Sequence, residues 1–535
     1  MSQLVWWQDA VIYQVYPRSY ADADGDGMGD LPGITSRLDH LVELGVDALW
    51  LSPFYRSPQA DAGYDVADYR DVDPRFGTMA DFDALMAGAG ERQLRVIVDL
   101  VPNHTSVEHP WFKEALRAGP GSHARDRYHF RKGTGPDGEQ PPNRWKSVFG
   151  GPAWTRVDDG EWYLHLFDAS QPDLNWDLPE VREEFESILR FWLDKGVAGF
   201  RVDVANALVK ESGLPDWVDT GEAIPPGHPG APPMWDQEGV HEIYRSWRRL
   251  LDTYPDDRMM VGEAWVRPPE RLVRYVRPDE MQQAFNFAYL LAGWTAVDQR
   301  TAVDASISGA NSVGAIATWV LSNHDVVRHA TRLGFRVAHP AQQGIGVGDP
   351  QPDRALGLRR ARAATLFMLA LPGSAYLYQG EELGLPDHTT LPDSARQDPT
   401  WERSGHTIRG RDGSRVPIPW KADAPSYGFG PSDRSWLPQP ALWAEYALDQ
   451  QRGVPGSTYE LYRAALRLRR QHRLGRGTLD WLPGDVLAFT NGDVTVVTNF
   501  GPAPAPLPVG EVILTSGDLA ADGTLPPDTT AWLIA

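Results

Sequence analysis

Short runs of β-branched and aromatic residues alternate along this chain with longer amphipathic stretches. Short apolar runs bounded by turn residues predict strands, whereas apolar positions that recur once per helical turn predict helices. Helical patterns cover, for example, 34–45 and 181–196. Eight runs predict strands, at 10–17, 47–53, 95–102, 199–205, 259–265, 283–288, 317–325 and 374–382. Several are almost entirely apolar, as parallel strands buried on both faces are, so the alternation predicts an α/β fold, a (β/α)8 TIM barrel.

Two segments interrupt or follow this repeat. A polar Gly/Pro-rich stretch and short aromatic runs separate the third strand from the helix before the fourth strand, and we interpret them as an inserted subdomain. The last barrel helix is predicted at 459–472, and the short alternating runs after it predict an antiparallel, β-sandwich-like C-terminal domain. The predicted boundaries are 1–103 and 174–473 for the barrel (domain A), 104–173 for the insertion (domain B) and 474–535 for the C-terminal domain (domain C).

Three acidic residues follow three of the predicted strands, namely Asp203, Glu263 and Asp325. A carboxylate at the end of a buried strand loses hydration, which is unfavourable unless the group is paired or functional. The carboxyl ends of barrel strands meet at one face, where barrel enzymes build their active sites. One such acid alone is more often a loop acid or a structural ion pair. Their recurrence after three strands favours a catalytic site.

The residue types suit the hydrolysis of a glycosidic bond. Arg201 and Asp203 share one face of a strand, so the positive charge favours an ionised Asp203 that acts as a nucleophile. Glu263 follows a glycine at the end of an apolar strand, where burial favours the protonated form that an acid catalyst requires. Two carboxyl groups about 5–5.5 Å apart are what double displacement with retention needs. Asp325 would bind sugar hydroxyl groups and stabilise positive charge at the anomeric carbon.

With these residues the chain resembles the α-amylase family of glycoside hydrolases, in particular its α-glucosidase and oligo-1,6-glucosidase branch. The resemblance runs nearly end to end. QPDLNW (171–176) resembles the motif that closes the inserted subdomain in this branch. Four further motifs resemble the conserved regions of the family in the correct order: DLVPNH (99–104), GFRVDVAN (199–206), GEAW (262–265) and LSNHD (321–325).

The resemblance implies a role for each position. Asp203 would be the nucleophile, Glu263 the acid/base and Asp325 the stabiliser of the transition state. Tyr64 would stack on the sugar ring. The position of Arg411 has a neighbouring alternative in Arg415. The pocket for the non-reducing glucose would be formed by Asp61, Tyr64, His104, Phe167, Gln171, Arg201, His324 and Arg411.

An acidic loop, DADGDGMGD (22–30), follows the first strand. Its oxygen-bearing groups are spaced as in a calcium loop, and Gly27 permits the turn. The loop is not an EF-hand, because Gly33 stands where that motif has glutamate. A solvated acidic turn is the alternative. The resemblance implies a structural Ca²⁺, or Mg²⁺, held away from the chemistry by Asp22, Asp24, Asp26, the Met28 carbonyl and Asp30.

The preferred linkage is less well defined. In the family the residue after the nucleophile is associated with linkage, and Val204 favours α-1,6 bonds, although residues 205–208 depart from the usual oligo-1,6-glucosidase pattern. We therefore expect a retaining, exo-acting α-glucosidase for short α-glucosides with α-1,4 or α-1,6 bonds. Asp61, Arg411 and the insertion would close the far side of one glucose, so that only a chain end fits.

Other functions on the same scaffold stay open. A transglucosylase or a sucrose isomerase would use the same three acids, although the RLDRD-like loop of the isomerases is absent. A non-catalytic relative, such as the heavy chain of an amino-acid transporter, would have lost these acids and would carry a membrane helix. Segments 214–237 and 385–440 are expected to lie over the acceptor side and to influence both linkage and acceptor.

Charge and composition narrow the partners. The chain has 51 basic and 72 acidic residues, a net charge of −21, which disfavours nucleic acid and anionic membranes. It has no cysteine, which excludes disulfides and thiolate metal sites. The first residues lack the features of a signal peptide, and no apolar stretch is long enough to span a bilayer. We expect a cytoplasmic enzyme for a small oligosaccharide or disaccharide; the oligomeric state stays open, and no organic cofactor is implied.

Overall fold

A parallel eight-stranded sheet forms the centre of the molecule. The computed structural model describes residues 5–221, 230–266 and 268–535. The strands are β1 (Val11–Val15), β2 (Ala48–Leu51), β3 (Arg95–Leu100), β4 (Gly199–Val202), β5 (Met259–Gly262), β6 (Gln283–Ala284), β7 (Thr318–Val320) and β8 (Ser374–Tyr378). Their spatial order is β6-β5-β4-β3-β2-β1-β8-β7, so the sheet is a nearly closed barrel whose only unpaired neighbours, within the described ranges, are β6 and β7.

A helical segment follows each strand, as the sequence predicted. The segments are Leu31–Ser36 and Leu38–Leu44 after β1, Met79–Glu91 after β2, Pro179–Asp194 after β3, Val240–Leu251 after β4, the 3-10 segment Pro269–Val276 after β5, Ala296–Ser312 after β6, Arg354–Leu369 after β7 and Thr458–Gln471 after β8. Among the described residues, no helix is both long enough and apolar enough to cross a membrane. The alternation confirms the predicted (β/α)8 barrel.

Shorter helical turns lie in the loops. The α-helical turns are Pro17–Tyr20, Phe287–Leu290, His329–Arg332, Pro399–Arg403 and Asp412–Arg415. The 3-10 turns are Trp6–Gln8, Glu381–Leu383, Asp393–Ala395, Pro425–Gly428, Ala441–Tyr446, Leu448–Gln450 and Leu474–Arg476.

The helix predicted at 34–45 differs in detail. It begins earlier, at Leu31, because the Asp30 side chain accepts a hydrogen bond from the backbone N–H of Gly33 and caps the helix. It is interrupted at Arg37, whose φ of −111° and ψ of 7° are not helical. Caps and single-residue breaks of this kind do not alter the apolar periodicity from which the helix was predicted.

The inward-facing positions of the strands change character along each strand. Ile12, Trp50, Ile97 and Val261 belong to one buried apolar cluster inside the barrel. The alternate positions, such as Phe200, pack outward against the helices. Since side chains alternate along a strand, the next inward positions after Ile97 and Val261 are 99 and 263, and both are acidic. The barrel interior is therefore apolar below and ionisable at the carboxyl ends of the strands.

The insertion after β3 folds over this end of the barrel. It contains the helices Pro110–Ala118 and His123–Asp126 and a three-stranded sheet of Phe130–Lys132, Glu161–Leu164 and Trp154–Arg156, in that spatial order. Its two ends meet at the barrel through a bridge between His104 and Asp173. A separate hairpin-like pair, Tyr55–Arg56 with Asp68–Val72, extends the loop after β2.

The C-terminal domain contains one five-stranded antiparallel sheet. Its strands are β9 (Leu479–Leu482), β10 (Leu487–Asn491), β11 (Val494–Asn499), β12 (Glu511–Thr515) and β13 (Thr529–Ile534), in the order β9-β10-β11-β13-β12. Trp532 and Phe489 face the barrel: the Trp532 indole N–H donates to the Leu366 carbonyl, and the Phe489 ring meets Phe367 edge to face. Leu525 and neighbouring apolar residues cover the opposite face. The predicted antiparallel C-terminal domain is thus confirmed, but its described residues form one sheet rather than a β-sandwich, because helix Arg354–Leu369 packs where a second sheet would lie.

Candidate active site

A cavity of about 610 Å³ opens at the carboxyl ends of the barrel strands. All three acids singled out from the sequence line it. The backbone N–H groups of Asp203 and Glu263 donate to the carbonyl oxygens of Leu100 and Val202. These bonds extend the parallel pairing past the ends of β4 and β5 and fix the backbone of both acids. The lining is Asp61, Tyr64, His104, Val148, Phe149, Phe167, Asp203, Val204, Asn206, Trp217, Asp219, Pro232, Trp235, Asp236, Glu263, Trp265, Val266, Asp325, Gln342, Gln343, Thr400, Ile408, Gly410 and Arg411.

One buried guanidinium connects the acids beneath the cavity. Arg201 donates through Nη1 to Asp203 and, at 3.0 Å, to Asp99; Nη2 donates to Glu263 Oε2 at 2.7 Å. The two acids on β4 and β5 therefore face a common space. One positive charge cannot neutralise three buried carboxylates, so the cluster favours retention of a proton.

The pKa values of two of these acids reflect that imbalance. Burial raises the pKa of Asp99 to about 7, against the lowering effect of Arg201. Burial also raises the pKa of Asp203, an effect that Arg201 opposes and that Glu263 and Asp99 strengthen. The expected ionisation of Asp203 thus depends on the hydrogen bond and charge of Arg201, which have to outweigh the loss of hydration.

Asp325 lies in a positively charged environment. Its Oδ1 accepts from Arg411 Nη1 at 2.9 Å and from Arg415 Nη2 at 3.0 Å. Burial disfavours the carboxylate, but the charges of the Arg411 and Arg415 guanidinium groups hold the pKa of Asp325 well below its usual range. Asp325 is therefore a permanent anion, as a group that stabilises positive charge must be.

Tyr64 and His324 form a stacked pair beside the acids. Their ring planes are inclined by 6° with centroids 5.3 Å apart, and Tyr64 Oη lies 2.6 Å from His324 Nε2. Burial holds the pKa of His324 well below its usual range, so the ring is neutral. The Gln14 amide nitrogen, 2.8 Å from Nδ1, leaves the proton on Nε2, and Tyr64 in turn donates to Asp99 at 3.1 Å. This chain fixes the orientation of both rings.

The far wall of the cavity is built from residues distant in sequence. Gln171 Nε2 donates to Asp61 at 3.2 Å and lies 3.1 Å from His104 Nε2. Arg411 Nη2 donates to the other oxygen of Asp61 at 2.9 Å. The Phe167 ring packs on His104 at a centroid distance of 5.3 Å. All eight residues predicted to form a glucose pocket therefore lie at the cavity or directly beneath it.

The sequence model of a protein family, described as the α-amylase catalytic domain, matches residues 14–477 of this chain. The chain belongs to the α-amylase family. Within that family the relatives named oligo-1,6-glucosidase and α-glucosidase support the branch inferred from the motifs.

Similarity within the α-amylase family extends over almost the whole chain. The oligo-1,6-glucosidase of Parageobacillus thermoglucosidasius is 35% identical over 93% of this chain and 90% of its own length. The α-glucosyl transfer enzyme XgtA has 35% identity and a TM-score of 0.85, over 99% of this chain and 100% of that one. The trehalulose synthase MutB of Pseudomonas mesoacidophila MX-45 has 31% identity and a TM-score of 0.86 over the same shares.

Two residues of this α-amylase-family site were not predicted from the sequence to belong to it. Asp99 is buried between Arg201 and Tyr64, and Asp398 accepts from Arg411 Nε at 2.6 Å. Asp99 left two signals, because it is an acid inside an otherwise apolar strand run and the first residue of the DLVPNH motif. Asp398 caps the short helix Pro399–Arg403, and an aspartate before a proline indicates the start of a helix rather than a site. Arg411 and the alternative Arg415 both bind Asp325, but Arg411 alone of the two lines the cavity.

Aromatic residues from one of the two segments expected over the acceptor side line the cavity. From the segment 214–237, Trp217 and Trp235 line it, while residues 222–229 of that segment lie outside the described residues. From the segment 385–440, Thr400 and Ile408 contribute beside Arg411. Both segments expected over the acceptor side thus reach the cavity.

The acidic loop brings part of its predicted ligand set together. Carboxylate oxygens of Asp22, Asp24 and Asp30 lie within 4.8 Å of one another, and burial raises the pKa of Asp22 and Asp30. Asp26 lies outside this group, and its Oδ1 accepts from the Met28 backbone N–H at 2.7 Å. Three close carboxylates form a hard oxygen set that fits Ca²⁺ or Mg²⁺.

Proposed function

We propose that this protein is an exo-acting α-glucosidase that releases α-glucose from the non-reducing end of short α-glucosides by double displacement with retention. The observation that carries the proposal is the Arg201 guanidinium, which binds Asp203 and Glu263 at the floor of one cavity. The similarity to an oligo-1,6-glucosidase supports the same reaction class.

The first displacement breaks the glycosidic bond. A carboxylate oxygen of Asp203 attacks the anomeric carbon, and the bonding electrons pass to the glycosidic oxygen, which takes the proton of Glu263. Asp325, held as an anion by its arginine neighbours, stabilises the positive charge that develops on the sugar. The products of this step are a glucosyl ester of Asp203 and the released aglycone.

The second displacement returns the enzyme to its starting state. Glu263, now ionised, removes a proton from water while the water oxygen attacks the anomeric carbon. The ester bond breaks and its electrons return to Asp203. Two inversions give net retention, so glucose leaves as the α-anomer.

Exo action follows from the closed far wall. Arg411 binds Asp61 and Asp325 at once, and Gln171 joins Asp61 to His104. These contacts close the cavity beyond one sugar ring, so a chain end fits and the interior of a long glucan does not. Tyr64 is the platform for that ring.

Transfer to another sugar is the second candidate, since XgtA and MutB share this fold. The aromatic acceptor wall suits either water or sugar as the second nucleophile. Linkage preference and the ratio of hydrolysis to transfer belong to this proposal, as does a cytoplasmic location.

A structural divalent cation is also part of the proposal. Asp22, Asp24 and Asp30 would hold it, with Asp26 and the Met28 carbonyl as further ligands. The cation would offset the mutual repulsion of buried carboxylates beside the N-terminus of helix Leu31–Ser36. It takes no part in the chemistry.

The test is incubation of the purified protein with maltose, isomaltose, sucrose, trehalose and maltotriose, followed by NMR of the products. Early α-glucose is the expected result, and the order of rates defines linkage. The variant D203N should lose at least about 10³-fold in kcat while still binding sugar. New disaccharides from the start would favour transfer or isomerisation, and β-glucose as the first product would refute retention.

A further inference from the structure

The side chain of Glu263 accepts three hydrogen bonds. Oε2 accepts from Arg201 Nη2 at 2.7 Å and from the backbone N–H of Val204 at 3.2 Å. Oε1 accepts from the indole Nε1–H of Trp265 at 3.1 Å. A carboxylate oxygen has two lone pairs, so both lone pairs of Oε2 accept hydrogen bonds. Among the described residues only Trp265 donates to Oε1, so one lone pair of Oε1 can carry a proton.

The backbone donor to Oε2 is held in an uncommon conformation. Val204 has φ of +44°, in the left-handed region that β-branched residues rarely adopt. Such a conformation persists where the surrounding structure over-determines it. Arg201 below and Val204 beside it therefore fix Oε2, and the direction of Oε1 depends on the remaining donor.

That remaining donor, Trp265, is itself fixed. Its indole stacks on the Phe287 ring with centroids 3.7 Å apart and planes inclined by 5°. Phe287 begins the short helix Phe287–Leu290, which the Asn286 side chain caps. Trp265 also lines the cavity into which Glu263 faces.

We propose that Trp265 is a positioning residue for the acid/base, whose indole N–H holds Glu263 Oε1 so that its free lone pair carries the catalytic proton. This inference rests on the proposed function. In the first displacement the proton moves from Oε1 to the glycosidic oxygen as that bond breaks, and the indole N–H stabilises the carboxylate that remains. In the second, Oε1 receives a proton from the attacking water.

The variant W265F removes the N–H and keeps an aromatic ring for the stack. Two substrates separate its effects. Maltose has a leaving group that needs protonation, whereas 4-nitrophenyl α-glucoside has one that leaves as a stable anion. A hydrogen bond to a charged group corresponds to about 10–100-fold in rate, so we expect that loss in kcat/KM for maltose and a loss below about threefold for the nitrophenyl substrate. The alkaline limb of the pH profile of kcat/KM for maltose should move to higher pH, because the ionised Glu263 carboxylate loses a hydrogen-bond donor.

Two further variants make the test specific. F287L keeps the indole N–H but removes its stack, and we expect the same selective loss on maltose at smaller amplitude. W481F removes an indole N–H that donates to Asp304 at 2.6 Å far from the cavity, and it should leave both substrates unaffected. If W265F and F287L slow both substrates equally, without movement of the alkaline limb, the indole is only a wall and the inference is wrong. A wild-type protein that cleaves neither substrate would refute the proposed function itself, and this inference with it.

Discussion

Replacing Arg411 with lysine tests whether the far wall of the cavity organises the transition state. The guanidinium donates from Nε to Asp398, from Nη1 to Asp325 and from Nη2 to Asp61, at 2.6, 2.9 and 2.9 Å. A lysine ammonium keeps the charge but is one atom, so it cannot reach all three carboxylates. The variant therefore changes geometry while leaving the charge of the site unchanged.

The size of the effect of R411K follows from the hydrogen bonds lost. If the lysine keeps one of the three carboxylate partners, R411K loses two hydrogen bonds between charged groups, which correspond to about 3–6 kcal/mol in total. In the proposed mechanism Asp325 acts in the transition state and Asp61 forms the wall, so we assign about half of this to catalysis, and kcat/KM for maltose should fall by about 10–150-fold. The remainder should appear as lower thermal stability.

Steady-state kinetics with maltose, together with thermal unfolding, measure both parts. R476K is the matched control, because Arg476 makes a similar two-pronged contact with Asp9, at 2.5 and 2.8 Å, away from the cavity. We expect its kinetics to equal those of the wild type. If R411K stays within threefold of the wild type in kcat/KM, the wall does not position Asp325, and the reasoning about exo action is also wrong.

Two further predictions concern pH and metal. Burial raises the pKa of Asp61 to about 6, so as the pH falls through this value the carboxylate is protonated and loses its charge toward Arg411 and the sugar; KM for maltose should rise there. In D61N, KM should already be high and independent of pH in that range; an unchanged wild-type KM down to pH 5 would contradict this. Protein that has been treated with a chelator should be stabilised when Ca²⁺ is added back. At about 100 times its Kd, Ca²⁺ should contribute about 2.7 kcal/mol to the free energy of unfolding and raise the midpoint of thermal unfolding. D24N should abolish that rise. If the midpoint of the wild type does not change with Ca²⁺, the acidic loop is a solvated turn and not a metal site.

The sequence predicts the barrel and the three acids for one physical reason. Buried parallel strands are apolar on both faces, so an acid directly after such a run is conspicuous, as with Asp203 and Glu263. The alternation of strand and helix then places these acids at one face. Strand ends are predicted less well: the run at 283–288 gives only Gln283–Ala284 as strand, because Phe287 already starts a helical turn.

Contacts between loops cannot be inferred from local patterns. The sequence does not show that Arg201 binds three acids at once, because that follows only from the order of β3, β4 and β5 as neighbours in the sheet. Asp398 caps the short helix Pro399–Arg403, and no periodicity in the sequence indicates that it contacts Arg411. The hydrogen-bond donors to Glu263 depend on the backbone angle of Val204 and on the stacking of Trp265 on Phe287, and neither leaves a pattern in the sequence.

The ion pair between Arg411 and Asp61 joins residues 350 positions apart. On a ribosome, the first half of the chain supplies Asp203 and the stacked Tyr64 long before Arg411 is synthesised. We therefore expect the sugar pocket to close, and activity to appear, only after the chain has been synthesised past Arg411. Contacts of such long range also make folding slow, because distant segments must meet before any of them is stabilised. We therefore expect activity to report that the segments of the pocket, which are distant in sequence, have come together.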